Sequence, residues 1–124
     1  MTTWITICDT CKREDWEERG NDQTDGEALA ALIEAEAAAL PTLRTRRQSC
    51  LMGCKSGCNI AIQSHGKLAY TLGDFTPDAE AAQAIVGYAA LHAESASGQV
   101  PYRSWPQGVK GHFVTRHAPL PEEE

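Results

Sequence analysis

Five cysteines in two groups are the residues of this chain whose type and spacing point most directly to chemistry. The first group is Cys8 and Cys11, and the second is Cys50, Cys54 and Cys58. Two short thiol groups that a fold brings together can supply four thiolates to an iron–sulfur cluster or to a tetrahedral zinc ion. Disulfides are disfavoured because the number of cysteines is odd and cytoplasmic thiols stay reduced. The two groups therefore predict a metal or cluster site.

Other kinds of chemistry find less support in the residue pattern. The four histidines are His65, His92, His112 and His117. They do not cluster in the sequence, which disfavours a Rieske-type centre with two histidine ligands on one iron. Cys8-x-x-Cys11 also has the spacing of a thioredoxin redox motif. A thiol–disulfide oxidoreductase is nevertheless disfavoured, because a long polar segment follows Cys11 where that motif begins a helix.

The charge balance narrows the range of partners. The formal net charge is −6, whereas nucleic-acid binding depends on neutralising phosphates with Lys and Arg. An acidic protein suits docking on a basic patch of a redox partner, although the same charge also serves ordinary solubility. No segment resembles a targeting signal or reaches the run of about 18 apolar residues that a membrane span needs. We therefore expect a cytoplasmic protein without nucleic-acid or membrane partners.

One basic cluster interrupts the acidic sequence. It consists of Arg44, Arg46 and Arg47. We expect these arginines to form ion pairs with acidic residues of segment 14–25, with binding of an anion or of a redox partner as the alternative.

The elements that must position the cysteines can be read from composition and periodicity. In chain order they are strand 3–8, helix 26–40, strand 43–49, strands 59–64 and 67–72 joined by a turn at His65-Gly66, and a helix from 76–78 to about His92. Thr24 or Asp25 is the expected N-cap of the first helix. Thr76 is the expected N-cap of the second, with Pro77 at its first helical position.

The order β-α-β-β-β-α predicts an α/β fold of the thioredoxin-like type. The first strand, helix and second strand imply a parallel crossover, and the hairpin adds antiparallel strands to a mixed sheet. Helices would flank this sheet, and both cysteine groups would follow strand ends at one end of it. We expect a domain over residues 1–95 and an irregular, proline-rich extension over 96–124.

Residues 50–75 resemble the second half of thioredoxin-like [2Fe–2S] ferredoxins. Those proteins carry a Cys-Leu-Gly-x-Cys loop, a Gly-Pro pair, two strands joined by a turn, and a final helix. Here Cys50 and Cys54 match the cysteines of the ligand loop. Gly57 matches the glycine, and Cys58 stands where proline is usual. The resemblance implies that Cys50 and Cys54 are cluster ligands.

The same resemblance implies the rest of the ligand set. The ferredoxins take their other two ligands from the loop after the first strand, which here holds Cys8 and Cys11. A [2Fe–2S] cluster would then be bound by Cys8, Cys11, Cys50 and Cys54. Cys58 remains an alternative to Cys11, or a thiol packed beside the cluster. Because related ferredoxins are often dimers, the resemblance also allows a homodimer.

Over nearly its whole length the chain also resembles an uncharacterised family of small proteins predicted to bind metal. The shared features are the N-terminal Cys-x-x-Cys, the three spaced cysteines and the hairpin end from Tyr70 to Asp74. Members are often encoded beside genes for cobalamin synthesis and cobalt handling. The resemblance implies a role near corrinoid metabolism, where cobalt must be reduced to Co(I) before the adenosyl group is attached.

Two functions follow as expectations. The first is a ferredoxin-type electron carrier that has no substrate chemistry of its own and passes electrons to a partner enzyme. The second is a zinc- or cobalt-binding protein, with either a structural site or a chaperone role, because thiolates suit those metals too.

Overall fold

One five-stranded sheet with two helices organises the residues that the computed structural model describes, which are 2–10, 23–49 and 58–119. In chain order the elements are β1 (Thr3–Cys8), α1 (Asp25–Ala37), β2 (Leu43–Gln48), β3 (Ile60–Gln63), β4 (Ala69–Leu72), α2 (Ala79–Glu94) and β5 (Phe113–His117). Two single-turn 3₁₀ helices, Tyr102–Ser104 and Gln107–Val109, lie between α2 and β5.

The sheet has the mixed topology that the element order predicts. Its strand order is β2-β1-β3-β4-β5. Strand β1 pairs in parallel with β2, and α1 supplies the crossover that a parallel pair requires. The pairs β1–β3, β3–β4 and β4–β5 are antiparallel. The prediction of a thioredoxin-like α/β fold is confirmed.

Both helices cover the same face of the sheet. Successive side chains of a strand point to opposite faces, so Thr3, Ile5 and Ile7 share one face. Thr3 contacts α2, and Arg47, which is in register with Ile7, contacts α1. The core lies under the helices, where the isoleucines of β1 and β3 are fully buried. Cys8 therefore points to the face that α1 and α2 do not cover.

The first helix begins where the sequence predicts and ends earlier. Thr24 is the N-cap, and it forms a capping box with Glu27. The helix ends at Ala37 rather than at Leu40, and the Leu40 amide donates to the Ala37 carbonyl (3.0 Å) in a turn. Pro41 accounts for the early end, because its ring disfavours a helical backbone conformation at the preceding residue, Leu40. Within the described ranges, no helix is long and apolar enough to cross a membrane.

The start of the second helix differs from the prediction. Asp78, rather than Thr76, is the N-cap, and its Oδ1 accepts from the Ala81 amide at 2.8 Å. The helix therefore begins at Ala79, so Pro77 precedes the cap instead of occupying the first turn. Asp is as good an N-cap as Thr or better, which explains the two-residue displacement.

The expectation of an irregular C-terminal extension is wrong for residues 113–117. These residues form β5, which pairs antiparallel with β4 and adds an edge strand to the same sheet. Only Phe113 of the strand faces the core, and a register shift beside Leu72 breaks the alternation. A strand with a single core-facing apolar residue carries little periodic signal, and the neighbouring prolines obscured it.

A buried polar network closes the end of the core that lies away from Cys8. His92 is fully buried, with Nε2 2.7 Å from the Leu68 carbonyl oxygen and Nδ1 2.9 Å from Thr3 Oγ1. The carbonyl can only accept, so Nε2 carries a hydrogen and a neutral ring leaves Nδ1 as acceptor for the Thr3 hydroxyl. Lys67 Nζ donates to the His92 and Ala93 carbonyl oxygens at the end of α2. The network thus joins α2 to the first and fourth strands.

Candidate cysteine site at one end of the sheet

Cys8 and Cys58 are the two predicted site residues that fall within the described residues. Both are buried, with 3% and 0% of their surface exposed. Cys11, Cys50 and Cys54, the other predicted ligands, lie outside the described residues.

Cys8 and Cys58 lie at the same end of the sheet. Ile7 is opposite Ile60 in the antiparallel β1–β3 pair, and the Cys8 amide continues the ladder by donating to the Asn59 carbonyl at 3.2 Å. Cys58 is the residue immediately before Asn59 and precedes β3. The end of β1 and the start of β3 therefore bring the two cysteines to the same end of the sheet. The sequence predicts this position for both cysteine groups.

The chain leaving β2 is tied to the chain leaving β1. The Asp9 amide donates to the Gln48 carbonyl at 3.1 Å. One residue further along, the Thr10 hydroxyl donates to the Ser49 carbonyl. These hydrogen bonds extend the parallel β1–β2 pairing beyond the strands proper. Three chain segments, around residues 9–10, 48–49 and 58–59, thus converge at the end of the sheet.

The N-terminus of α1 packs directly on the backbone of the same end. Gly26 has no room for a side chain: a Cβ there would lie 2.0 Å from the Cys8 carbonyl oxygen and 3.0 Å from Asp9 backbone atoms. The Thr24 hydroxyl also lies within hydrogen-bond distance of the Asp9 carbonyl oxygen. The unpaired amides of a helix N-terminus carry partial positive charge. That charge lies against the backbone of Cys8 and Asp9, at the end of the sheet where Cys8 and Cys58 are found.

Each described cysteine has a distinctive local setting. The Cys8 sulfur lies 3.6 Å from Thr10 Oγ1, within the range of a sulfur hydrogen bond. Cys58 has a φ of 59°, in the left-handed region that non-glycine residues adopt at a cost of about 1–2 kcal/mol. A fully buried thiol on strained backbone is a feature that clusters at functional sites.

The histidines do not assemble with the cysteines in the part of the chain that the structure describes. His112 lies at the cysteine end, where Nδ1 donates to the Gly73 carbonyl (2.9 Å) and the ring stacks on Phe75 at 4.3 Å. His92 and His117 lie toward the opposite end of the sheet. Among described residues, no three His, Cys, Asp or Glu side chains form a group that could hold a metal ion.

The arginine cluster divides between the two faces of the sheet. Arg47 pairs with Glu34 of α1 at 2.8 Å, and this hydrogen bond lowers the pKa of the Glu34 carboxyl. The described partner thus comes from α1, and residues 14–22 of the expected partner segment lie outside the described residues. Arg46 donates to Thr6 Oγ1 at 2.7 Å and lies 5.7 Å from the Trp4 ring centroid on the open face. Within the described residues, the contacts of Arg46 are to the neutral side chains of Thr6, Gln63 and Trp4.

Sequence reasoning missed Gly26, Thr10 and Asn59, which hold the site together. Gly26 carried one signal: a glycine in the first turn is unusual in a helix otherwise made of strong helix formers. Thr10 and Asn59 act through hydrogen bonds to neighbouring chain segments, to Ser49 and Cys8 respectively. No local sequence pattern predicts such contacts.

Comparison with known proteins gives one match. The family model described as "Protein of unknown function (DUF1636)" matches residues 5–119. Neither a search of curated proteins nor a search of solved structures found a match. The matched segment runs from the first strand to just beyond the fifth and includes all five cysteines. The chain therefore belongs to the DUF1636 family of proteins of unknown function.

Proposed function

We propose that this protein is a small electron carrier with a [2Fe–2S] cluster at the cysteine end of the sheet. The proposed ligands are Cys8, Cys11, Cys50 and Cys54. The observation that carries the proposal is the convergence of three hydrogen-bonded segments at that end, each adjoining one or more of the five cysteines. Such a cluster requires four thiolates within a small volume, and a fold must bring separate loops together to provide them.

Chain connectivity supports the ligand set. Cys11 is covalently joined to Thr10 and Cys50 to Ser49, and consecutive Cα atoms lie about 3.8 Å apart. Thr10 and Ser49 are themselves hydrogen-bonded to each other. Cys54 belongs to the segment 50–57, which starts at the end of β2 and returns to Cys58 at the same end of the sheet. Each of the five cysteines is thus within a few residues, along the chain, of a segment that lies at this end of the sheet.

The surroundings of Cys8 suit a buried group of negative charge. A bound cluster would supply one-electron transfer, and the thiolates around it would carry net negative charge. The positive end of α1 packs on the backbone of Cys8 and Asp9 through Gly26, and it would lie at the end of the sheet that holds that charge. Cys58, buried at the start of β3, would pack beside the cluster or replace Cys11 as its fourth ligand. The net charge of −6 suits transient docking on a basic partner.

A zinc or cobalt site is the second candidate. The observation in its favour is the donor set itself, because a group of thiolates also suits a tetrahedral zinc site. The two candidates differ in composition: a cluster contains inorganic sulfide, and a zinc site does not.

Replacing Cys8 should remove the cofactor. We expect the Cys8→Ala protein, purified without oxygen, to lose most of its iron and its visible absorption, since no other thiol leaves β1 at that position. Cys58→Ala is the matched comparison, because it removes an equally buried thiol from the same end, and it should retain the cluster where Cys11 is the fourth ligand. Iron and acid-labile sulfide per chain, measured for both variants, provide the comparison.

Other outcomes would change the assignment. An unchanged spectrum in Cys8→Ala would contradict a role for Cys8 as ligand. Loss of iron in Cys58→Ala, together with retention in Cys11→Ala, would show that Cys58 and not Cys11 is the fourth ligand. Circular dichroism of each variant separates loss of the cofactor from loss of the fold.

We propose reduction of a corrinoid cobalt as the first partner reaction to test, on the strength of the sequence resemblance described above. The reduced protein, mixed with cob(II)alamin, an adenosyltransferase and ATP as the donor of the adenosyl group, should yield Co(I) or the adenosylated product as the protein reoxidises. Absorption spectroscopy follows both species. No electron transfer above the rate of dithionite alone would contradict this choice of partner and leave the cluster assignment intact.

A further inference from the structure

A groove of about 670 Å³ runs between the edge strand β5 and the segment 97–105. This size suits a small organic molecule, since ligand sites are typically about 300–1,000 Å³ and mostly apolar with a few polar groups. The side chains that matter for the argument are Tyr70, Val100, Tyr102, Trp105, Phe113 and Arg116. The groove involves none of the cysteines and is independent of the function proposed above.

Aromatic side chains form the walls of the groove and are held in place. Trp105 and Phe113 lie 4.4 Å apart between ring centroids, and Tyr102 lies 4.9 Å from Trp105. The Trp105 indole N–H donates to the Val100 carbonyl at 2.8 Å, which fixes the ring. Tyr88 of α2 packs behind Phe113 at 5.2 Å. The walls are therefore preorganised and offer flat surfaces for a ring to stack on.

Two large apolar side chains at the groove remain exposed to solvent. Tyr102 is 62% exposed and Val114 is 50% exposed, and they are the large hydrophobic residues that the described part of the chain leaves most open. Exposed aromatic surface around a concave site is a feature of binding sites.

The charge around the groove is opposite to that of the whole chain. Residues 95–119 contain Arg103, Lys110 and Arg116 and no Asp or Glu, in a chain of net charge −6. Arg116 is in register with Tyr70 across the β4–β5 pair and lines the groove. Among described residues, its side chain makes no ion pair or hydrogen bond. Lys110 Nζ lies 4.6 Å from the Tyr102 ring centroid at the rim.

We propose that this groove binds a small molecule made of a flat ring and a carboxylate. The ring stacks on the aromatic wall that Tyr102 and Trp105 form, and the carboxylate pairs with the Arg116 guanidinium, whose planar fork matches two carboxylate oxygens. We infer an anionic ligand because segment 95–119 contains basic residues and no acidic ones. The commitment to a ring rests on the aromatic walls.

The test uses the full chain labelled with ¹⁵N and three probes. Indole-3-acetate has ring and carboxylate, tryptamine has the same ring with an ammonium group, and acetate has no ring. We expect indole-3-acetate to shift the amide signals of residues 100–105 and 113–116 and the Trp105 indole N–H with a saturable dependence. Tryptamine and acetate should bind at least about tenfold more weakly, as expected when one charge-assisted contact or the stacking surface is lost.

Variants locate the contact on the groove. Arg116→Gln should weaken indole-3-acetate binding about tenfold, and Tyr102→Ala should weaken it as well. Arg103→Gln is the matched control, because it removes the same charge from the same segment but does not line the groove; it should leave binding unchanged. Equal binding of tryptamine, equal effects of the two arginine variants, or no localised shifts at 10 mM probe would each overturn the proposal.

Discussion

Gly26→Ala should be among the most damaging single substitutions in this protein. The added Cβ would lie 2.0 Å from the Cys8 carbonyl oxygen, far inside van der Waals contact, and the obstructing atoms belong to backbone. Either α1 or the end of β1 must move, and overpacking of this kind costs about 3 kcal/mol or more. Because the displaced backbone carries Cys8, we also expect cofactor content to fall. Urea unfolding and iron content measure the two effects.

Gly87→Ala is the control for this prediction. Gly87 lies inside α2, and a Cβ there would meet only the Pro106 side chain at an ordinary 3.4 Å. Replacing a helical glycine by alanine without strain is expected to stabilise by about 0.5–1 kcal/mol. If Gly26→Ala were as stable as Gly87→Ala and kept its cofactor, the close packing of α1 on the cysteine end would be wrong.

His92→Leu should have the second large effect. The ring is fully buried, and its loss leaves the Leu68 carbonyl and the Thr3 hydroxyl without their partner. Each buried polar group left without a hydrogen bond costs about 1–3 kcal/mol, so we expect a total of about 2–6 kcal/mol for the two groups. His117→Leu, on the exposed edge strand, is the control and should change stability by less than about 0.5 kcal/mol.

The same histidine should make stability depend on pH. Burial is the main cause that lowers the pKa of His92, and the nearby Lys67 ammonium lowers it further, against the opposing effect of the Leu68 carbonyl. The unfolded chain binds a proton near the ordinary value of about 6.5, whereas the folded protein binds it only at lower pH. The neutral His92 ring therefore makes its full contribution to the free energy of unfolding above about pH 6.5. This contribution is lost as the pH falls below that value.

Comparison of the wild-type and His92→Leu proteins isolates this contribution. The free energy of unfolding of the wild-type protein should fall more steeply between pH 7 and pH 5, by at most about 1.4 kcal/mol per pH unit for one proton. Parallel pH profiles for the two proteins would contradict the assignment of a neutral buried His92.

The main elements of the fold were predictable because their signals are local. Strand β1 coincides with the predicted segment 3–8, and the turn at Gly66, with a φ of 73°, lies where the His-Gly pair predicts. Strand β2 was predicted from its place after a helix, since its arginines hide the usual pattern. Strand β5 was not predictable, because its partner β4 lies far earlier in the sequence, with Leu72 opposite Phe113 and Ala69 opposite His117, and only Phe113 packs inward.

The sequence predicts the chemistry of the candidate site but not the packing contacts that hold the site together. Thiol type and spacing are visible in the sequence, so the meeting of Cys8 and Cys58 at one end of the sheet follows from element order. Gly26 matters because a backbone from another element fills the space of its side chain, and only a three-dimensional arrangement reveals that. The aromatic groove is assembled from Tyr70 and from residues 97–116, which lie far away in the sequence, so no local pattern could predict it.

Cofactor composition tests the central claim most directly. The full chain should be purified without oxygen, and its iron, acid-labile sulfide and zinc should be measured beside its visible spectrum. An electron carrier with a [2Fe–2S] cluster should contain iron and sulfide in equal amounts and show broad charge-transfer absorption that dithionite bleaches. A colourless protein that contains zinc without sulfide, and that iron and sulfide cannot reconstitute, would contradict the account.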